Sequence, residues 1–350
     1  MSLLSSSSGY LGIDIGKSGI KIVELKREGG RAKLLTYGFS ENIDNADNDW
    51  ENDIRYTAQV INDICDKAGV VSKNAISALP TFSVFSSILN LSNITKKDMP
   101  SAVHWEAKKV IPLPLEEMIL DWKKIEEIDD GQEKNKKNNV KVLLTGAPRS
   151  LVKKYIEIFK QAQINLLSLE TETFSLVRAL IGNDKSTIML VEIGATTTDV
   201  SIVDRGIPTL SRSIDFGGNH ISNVISKYLN IDKKRAEQLK YDLGVSALDS
   251  QNNEILEVIE ESISPMVNEI KYAINLYQSS NNRSTEKIIL SGGSSLLPDL
   301  VNYLNKVLNI KVIIGDPWSR VSYPINLKPL LHEIGPRMSV AVGLAMREID

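Results

Sequence analysis

The chain has little of what secreted, metal-binding or membrane-spanning proteins use. Among 350 residues there are one cysteine, Cys65, and three scattered histidines, His104, His220 and His332. One cysteine cannot build a disulfide framework, and three separated histidines do not form a histidine-rich metal site. No apolar run approaches the roughly 18 to 20 residues that cross a bilayer, and the start, MSLLSSSSGY, lacks the features of a secretory signal. We therefore expect a soluble, intracellular protein.

The charge of the chain is nearly balanced. Lys and Arg number 41 and Asp and Glu 44, which gives a formal net charge of −3 at pH 7. No basic stripe is visible, so we expect no nucleic-acid partner. The length allows two medium-sized domains or more. Cys65 lies among Ile61, Ile64 and Ala68, which indicates a buried structural thiol.

What the chain does contain is one short pattern, twice. Residues 11–23 read LGIDIGKSGIKIV, and residues 190–202 read LVEIGATTTDVSI. Each copy is an apolar strand, one acid, one apolar residue, a glycine, small polar residues and a second alternating strand. Alternation on both sides of a turn predicts a half-buried β-hairpin. Two such hairpins facing each other can bind the phosphates of a nucleotide, which indicates a nucleotide-binding protein with two similar halves.

The residues of the two turns suit this chemistry. Gly16 and Gly194 let the backbone turn tightly and approach a ligand closely. Asp14 and Glu192 cannot touch phosphate, because like charges repel, but a carboxylate can hold water on a phosphate-bound Mg²⁺. For one copy alone, an ordinary glycine turn with a solvated acid is the alternative, and the duplication weighs against it. The donors available to phosphate oxygens are those of Lys17, Ser18, Thr196 and Thr197.

The segment 12–18, GIDIGKS, looks like a P-loop, but it is not one. The P-loop motif has four residues between its glycines, and this segment has three. The residues after Ser18 also alternate as a strand, whereas a P-loop opens a helix. A P-loop is therefore excluded.

Periodicity divides the first half of the chain into strands and helices. The predicted strands are 10–16, 19–26, 32–39, 75–79, 83–91, 118–125 and 140–146, and the predicted helices are 53–68, 95–110 and 150–162. A loop of mixed charge, 126–139, separates the last two strands, which we expect to pair antiparallel. Because the composition changes near Asn74, residues 74–165 are predicted to form an inserted α+β subdomain.

The second half repeats the order of the first. The predicted elements are strands at 187–193, 198–204 and 207–214, followed by helices at 219–229, 232–243 and 254–278. Apolar residues at steps of three and four predict that the last of these helices buries one face. The predicted division is 1–73 for the first part of domain I, 74–165 for the insert, 166–186 for the return to domain I, 187–335 for domain II and 336–350 for a C-terminal connecting helix.

A third glycine turn follows a strand near the end of domain II. The strand 288–291 leads into Gly292, Gly293 and Ser294, and a helix is predicted to begin there. A glycine-rich turn that feeds a helix N-terminus is a natural anion site, because free N–H groups and the helix dipole both face outward.

Two further pairs carry groups suited to a nucleoside. Gly217 and Gly218 open the helix at 219 and can pass under a base or sugar, with a tight strand-to-helix turn as the alternative. Glu237 and Lys240 are three residues apart and share one helical face. They form either a surface ion pair or polar contacts for ribose and adenine.

In order and spacing these pieces resemble the actin-like ATPase superfamily, which includes actin, Hsp70, sugar kinases, FtsA and MreB. The resemblance implies an α/β chain with a duplicated, ribonuclease-H-like two-domain fold that binds ATP and Mg²⁺. The matching segments are 12–21 and 191–198 for the phosphate motifs, 289–300 for the adenosine motif, and 170–176 and 338–346 for two connecting helices. The residues implied at ATP are Gly16, Lys17, Ser18, Gly194, Ala195, Thr196, Thr197, Gly217, Gly218, Glu237, Lys240, Gly292, Gly293 and Ser294, with Asp14 and Glu192 on Mg²⁺ through water.

Within the superfamily the chain resembles the PilM family of type IV pilus assembly. The stretch 105–122, WEAKKVIPLPLEEMILDW, is similar to the helix, Ile-Pro turn and strand of the SHS2-type subdomain that PilM and FtsA relatives carry. The resemblance implies that 74–165 is this subdomain. It also implies a cytoplasmic scaffold whose partner is the cytoplasmic N-terminal segment of a PilN-like inner-membrane protein, bound in a groove formed with the insert. The partner would hold it at the inner face of the membrane, and self-association is left open.

The chain departs from the superfamily pattern at Glu192, where relatives have Asp. The longer side chain can still hold a Mg²⁺-bound water, so we expect ATP binding with slow hydrolysis or none. Hydrolysing relatives use an acid or amide near the first connecting helix to polarise the attacking water, and Glu172 is the candidate here. A helix-capping role is the alternative, and Glu170 lies only two residues away.

Other proteins of the superfamily supply the alternatives. An FtsA-like division protein would add a linker and an amphipathic membrane helix, whereas this sequence stops directly after its last predicted helix. An Hsp70-type chaperone would need a further substrate-binding domain. A small-molecule kinase shares the phosphate hairpins but usually supplies a catalytic Asp as base, and the insert argues against it. We therefore expect the pilus scaffold, with the FtsA-like protein as the main alternative.

Overall fold

The computed structural model describes residues 9–40, 53–92, 94–95, 97–125, 139–245, 253–281 and 283–349. The strands are β1 (Tyr10–Gly16), β2 (Gly19–Glu28), β3 (Arg31–Phe39), β4 (Asn74–Leu79), β5 (Phe85–Ser92), β6 (Met118–Ile125), β7 (Asn139–Pro148), β8 (Asn165–Thr171), β9 (Ile188–Ile193), β10 (Thr198–Asp204), β11 (Ile207–Ile214), β12 (Lys287–Ser291), β13 (Lys311–Ile314) and β14 (Val321–Ser322). The helices are α1 (Ile54–Ala68), α2 (Met99–Val110), α3 (Arg149–Gln161), α4 (Glu172–Leu176), α5 (Gly218–Leu229), α6 (Lys233–Leu243), α7 (Asn253–Asn281), α8 (Leu300–Leu308) and α9 (Lys328–Met346). The predicted loop 126–139 lies outside the described residues except for Asn139.

Two of the sheets have the same strand order. The first is β3-β2-β1-β4-β8, with the short β14 added beside β3, and the second is β11-β10-β9-β12-β13. In both, a three-stranded antiparallel meander is followed by two strands parallel to its first strand. The predicted duplication is therefore confirmed at the level of topology.

Helices cover both faces of the first sheet. On one face α1 packs against α3, and Ile158 of α3 is buried with Leu11 of β1. On the other face α9 contacts β1 and β2. A Cβ on Gly12 would lie 1.9 Å from the carbonyl oxygen of Ala341 in α9. Only glycine at this position lets α9 pack so closely on β1, because any larger residue would collide with helix backbone.

Helix α7 supplies the core of the second half. Ile259, Ile263 and Ile270 are fully buried, and they pack against α5 and β10. The helical stripe predicted for 254–278 is thus confirmed. Pro265 lies inside this helix.

The insert is built around a third sheet of order β5-β7-β6, in which β6 and β7 pair antiparallel as expected. Helix α2 covers it, with Val103 and Ala107 buried against Val142 and Leu144. Strand β4, however, lies in the first sheet between β1 and β8, and α3 packs on that sheet. The topology therefore differs from the predicted span of 74–165, and we propose 80–148 as the insert. The sequence could not show that β4 belongs to the first sheet, because an apolar β-branched strand has the same local composition whichever sheet it joins.

The second predicted boundary also differs from the topology. Trp318, Val321 and Leu331 are buried with Val23 and Leu25 of β2, and β14 pairs with β3. Residues from about 317 onward thus pack on the first sheet, although the sequence placed them in domain II up to 335. Among the described residues, no helix combines the length and the apolarity needed to cross a membrane.

Candidate nucleotide site

The two predicted phosphate turns line one cleft. Its volume is about 320 Å³, and its wall is formed by Lys17, Phe82, Thr196, Thr197, Ser213 and Asp215. Lys17 belongs to the β1–β2 turn, and Thr196 and Thr197 belong to the β9–β10 turn. The N–H of Gly194 donates to the carbonyl oxygen of Thr197 at 2.9 Å and closes the second turn. The sequence-predicted turns of the two halves thus meet, as binding a phosphate chain from both sides requires.

Three carboxylates from the two halves converge beside these turns. One oxygen each of Glu172, Glu192 and Asp199 lies within 4.8 Å of the others. Glu192 and Asp199 are paired across the β9–β10 hairpin, and Glu172 begins α4 of the first half. Within the described part of the chain, the buried Oε2 of Glu192 has no hydrogen-bond partner. An unpaired buried carboxylate oxygen among two other acids suits a hard divalent cation such as Mg²⁺, which prefers oxygen ligands.

Burial and mutual repulsion disfavour the charged forms of these acids. Burial, followed by the charges of Asp199 and Asp14, raises the pKa of Glu172 to about 8. Burial, then the charge of Glu172, raises the pKa of Glu192 well above its ordinary value. Burial raises the pKa of Asp199 to about 6, although the hydroxyl of Ser213 donates to this carboxylate and opposes the shift. A bound cation would favour the charged forms of all three carboxylates.

Asp14 is paired with a cation that the sequence reasoning did not include. Its buried carboxylate lies 3.2 Å from the Nζ of Lys21, its partner across the β1–β2 hairpin. The same Nζ would be 3.0 Å from a Cβ on Gly16, so the ammonium lies over the first turn. Asp14 therefore lies next to the cluster of three acids, with a cation of its own. The site predicted from the sequence included neither Lys21 nor Asp199, although a two-residue hairpin loop after Gly16 does place residue 21 opposite residue 14.

Gly217 and Gly218 lie against the second turn. The N–H of Gly218 donates to Gly194 and that of Asn219 to Ala195, both at 2.9 Å. A Cβ on Gly217 would be 2.5 Å from the carbonyl carbon of Ala195. Glycine is therefore required for this close backbone contact, and the pair supports the turn that contains Ala195.

Lys240 and Glu237 do not form a surface ion pair, because Lys240 is only 1 % exposed. Its Nζ donates to both carboxylate oxygens of Glu237, at 2.7 and 2.8 Å, and lies 3.3 Å from the carbonyl oxygen of Gly218. Burial lowers the pKa of Lys240, and the pairing with Glu237 opposes that shift. The single hydroxyl of Ser222 lies within hydrogen-bond distance of both the carbonyl oxygen of Gly218 and the carboxylate of Glu237. These polar groups are thus linked to the second turn through Gly218.

The third glycine turn adjoins the same wall, but no α-helix begins there. Residues 293–296 form a single 3-10 turn, and α8 begins only at Leu300. The predicted anion site at a helix N-terminus is therefore wrong at this turn. The hydroxyl of Ser294 lies 3.5 Å from the carbonyl oxygen of Gly194. Apart from its chain neighbours, no described residue has an atom within 4 Å of the place that a Cβ on Gly293 would take, which leaves that side of the residue open to a ligand. The hydroxyl of Tyr241 lies 3.5 Å from the carbonyl oxygen of Gly293.

Glu172 is anchored from the entrance of the insert. Its Oε2 accepts the N–H of Thr81 at 2.8 Å and the hydroxyl of Thr81 at 3.0 Å. Helix α4 has no side-chain cap, which argues against the capping role. Glu170 instead forms a bidentate pair with Arg178 at 2.8 and 2.9 Å. Thr81 and Glu172 are 91 residues apart, so no local sequence pattern could predict this contact.

Known proteins share this fold. A family model described as type IV pilus assembly protein PilM matches residues 12–349. Among solved structures, the chain is similar to that of a PilM–PilN type IV pilus biogenesis complex, with a TM-score of 0.83 and 23 % identity over 97 % of this chain and 98 % of that one. A structure of MreB 5 of Spiroplasma citri bound to AMPPNP has a TM-score of 0.52 and 14 % identity, over 97 % of this chain and 95 % of that one. The fold is therefore actin-like.

The curated relatives include cell division protein FtsA of Neisseria meningitidis serogroup B. It is 25 % identical over 287 residues, which cover 72 % of this chain. The match spans only 66 % of that relative's length.

Proposed function

The chain belongs to the PilM family of type IV pilus assembly proteins, and from this premise we propose that it binds ATP with Mg²⁺ between its two halves. The meeting of the two glycine turns at one cleft, with a cluster of three carboxylates from both halves and the ammonium of Lys21 over the first turn, carries this proposal. The likeness to an MreB structure that holds AMPPNP supports it further.

Each turn has a separate task in this proposal. Gly16, Lys17 and Ser18 donate to phosphate oxygens from the first half, and Lys21 adds a cation above them. Residues 194–197 donate from the second half. A bound Mg²⁺ would supply the positive charge that lets three neighbouring carboxylates remain ionised.

The remaining predicted residues hold the nucleoside end or support the turns. We assign Gly293 and Ser294 to the nucleoside, because the side-chain position at Gly293 is open within the described residues and Ser294 lies near the second turn. Gly217 and Gly218 hold that turn in place through backbone contacts. Glu237 and Lys240 hold Gly218, and the carboxylate of Glu237, 45 % exposed, can also reach a ribose.

Hydrolysis is expected to be slow or absent. The chain has Glu192 where relatives have Asp, and the changed reach of this longer side chain to a Mg²⁺-bound water would slow hydrolysis while leaving ATP binding intact. The proposal is accordingly a nucleotide-controlled scaffold, with closure of the two halves as its response to ATP. A partner can respond to such closure only if it binds the open and closed forms unequally.

The proposed partner is the cytoplasmic N-terminal segment of a PilN-like inner-membrane protein. The structural likeness to a PilM–PilN complex motivates this choice. We place the segment in a groove formed with the insert, whose helix α2 presents Trp105 with 65 % of its surface exposed. The chain would then work at the cytoplasmic face of the membrane, held there by its partner.

Calorimetric titration tests the proposal. The chain is loaded with Mg²⁺ and ATP and titrated with the N-terminal peptide of the PilN-like protein from the same genome. We expect saturable one-to-one binding that W105A weakens. The control is I325A, which removes an even more exposed apolar side chain outside the insert. Nucleotide binding without any peptide binding would favour an FtsA-like role, and rapid phosphate transfer to a sugar would favour a kinase.

A further inference from the structure

The turn that enters the insert also touches the candidate nucleotide site. Residues 81–83 form one 3-10 turn between β4 of the first sheet and β5 of the insert. Thr81 is buried, and its N–H and its hydroxyl both donate to the Oε2 of Glu172. Two donors on one oxygen fix that carboxylate in position and leave its Oε1 without either of them.

The same turn reaches the cleft and the opposite half. Phe82 lines the cleft with Lys17 and Thr196. The turn and β5 both contact β11, which belongs to the second sheet. A displacement of the insert relative to the first sheet must therefore change the contact with Glu172, the wall of the cleft or the contact with β11.

We propose that Thr81 is a positioning residue that holds Glu172 at the nucleotide site and so couples that site to the insert. The inference rests on the proposed nucleotide binding and adds a route by which the two regions affect each other. Coupling of this kind is reciprocal. If bound nucleotide changes the affinity of the insert for a ligand by some factor, that ligand changes the affinity for nucleotide by the same factor. The turn 81–83 is the element whose position both the nucleotide site and the insert would influence.

Hydrogen–deuterium exchange on the whole chain tests the proposal without a partner. Exchange is followed in residues 81–92 of the insert and in both phosphate turns, with and without Mg²⁺ and AMPPNP. In the wild-type chain we expect nucleotide to slow exchange in the turns and, by about threefold or more, in 81–92. T81V keeps the shape and the backbone donor but removes the hydroxyl, so the response of 81–92 should be reduced while the turns still respond.

Two further variants separate positioning from simple stability. T81S retains the hydroxyl and should restore the response of 81–92. T36V removes a comparable hydrogen bond, from Thr36 to the carbonyl oxygen of Ala68 at 2.7 Å, in the first half, and should respond like the wild type. If T81V does not fold, T81A removes the same hydroxyl without adding a methyl group.

The outcomes distinguish this inference from the proposed function. A response of 81–92 in T81V as large as in the wild type overturns the coupling through Thr81 and leaves nucleotide binding intact. An equal loss in T36V also overturns it, since the effect would then be one of general stability. No response in either phosphate turn of the wild type overturns the proposed function, and the coupling with it.

Discussion

Glu192 and Asp199 are paired directly across the β9–β10 hairpin, whereas the β1–β2 hairpin pairs Asp14 with Lys21 at the corresponding position. Like charges directly opposite each other destabilise a hairpin, and opposite charges stabilise it. The two copies of one motif have thus diverged in charge. In the first hairpin Lys21 already compensates the charge of Asp14. An added cation would therefore stabilise the second hairpin, with its two carboxylates, more than the first.

Asp199→Asn should stabilise the nucleotide-free chain in the presence of EDTA. The pKa of Asp199 lies at about 6 in the folded protein against an ordinary 3.8, so the folded state binds more protons than the unfolded state between these values. Stability therefore falls as pH rises from about 4 to 6, and this loss remains at higher pH. At pH 8 we expect the free energy of unfolding of the variant to exceed that of the wild type by on the order of 2 kcal/mol. Urea unfolding measures this difference, which should be smaller at pH 4.

Asp184 serves as a control, because its substitution by Asn should change stability in the opposite direction. The ammonium of Lys287, followed by the N–H and hydroxyl of Ser186, lowers the pKa of Asp184. Its contribution to stability is present above the unfolded pKa and is lost as pH falls through the folded one. Asp184→Asn should therefore lose stability at neutral pH. A gain in Asp184→Asn, or no gain in Asp199→Asn, would contradict the electrostatic account.

Lys21→Met should weaken nucleotide binding by about tenfold or more, because charge-assisted hydrogen bonds contribute roughly 1.5 to 3 kcal/mol. It should also lower stability, since the buried carboxylate of Asp14 loses its partner. Fluorescence titration with a labelled ATP analogue measures the affinity. Lys26→Met is the matched control on the same strand, because Lys26 pairs with Glu28 away from the cleft. Equal affinities for the two variants would exclude Lys21 from the phosphate site.

Gly293→Trp should abolish nucleotide binding and leave the fold intact. The position that a Cβ would occupy there is open within the described residues, so a large side chain can project into the proposed nucleoside site. Asp14→Ala should likewise abolish binding from the phosphate side. Thermal unfolding verifies that each variant folds, and calorimetry measures the affinity. ATP binding by both folded variants would refute the assigned site.

Gly217→Ala should instead damage the fold around the second turn. The added methyl group would lie 2.5 Å from the carbonyl carbon of Ala195 and 2.6 Å from the nitrogen of Thr196. We expect a loss of about 1 to 3 kcal/mol in the free energy of unfolding, together with weaker ATP binding. A variant as stable as the wild type in urea unfolding would show that the 195–196 backbone can move aside at no cost.

Lys240→Met should reduce stability by about 2 kcal/mol, because it leaves Glu237 and the carbonyl oxygen of Gly218 without their shared donor. The usual cost of leaving a buried charge without its partner is larger, but Glu237 is half exposed and water can solvate its carboxylate. Lys234→Met, on the exposed side of the same helix, should change stability by less than about 0.5 kcal/mol. Chemical denaturation of both variants decides whether Lys240 is a structural cation.

Local patterns in the sequence were enough to predict the two hairpins, and they also contain the register, although neither Lys21 nor Asp199 was predicted as a site residue. Alternation defines each strand, and a short glycine turn fixes which residues face each other, so Asp14 opposite Lys21 and Glu192 opposite Asp199 follow from neighbours in the chain. The same reasoning predicted the duplicated order of strands and the buried face of α7. Each of these features depends on residues close together in sequence.

Only the tertiary structure decided which distant segments meet. Thr81 and Glu172 are 91 residues apart, and Glu172 joins Glu192 and Asp199 only because the two halves close on one cleft. The membership of β4 and α3 in the first sheet, and the burial of Lys240, were decided in the same way. An apolar strand or a polar helical pair has the same local composition in several surroundings, and the packing partner that selects one of them lies far along the chain.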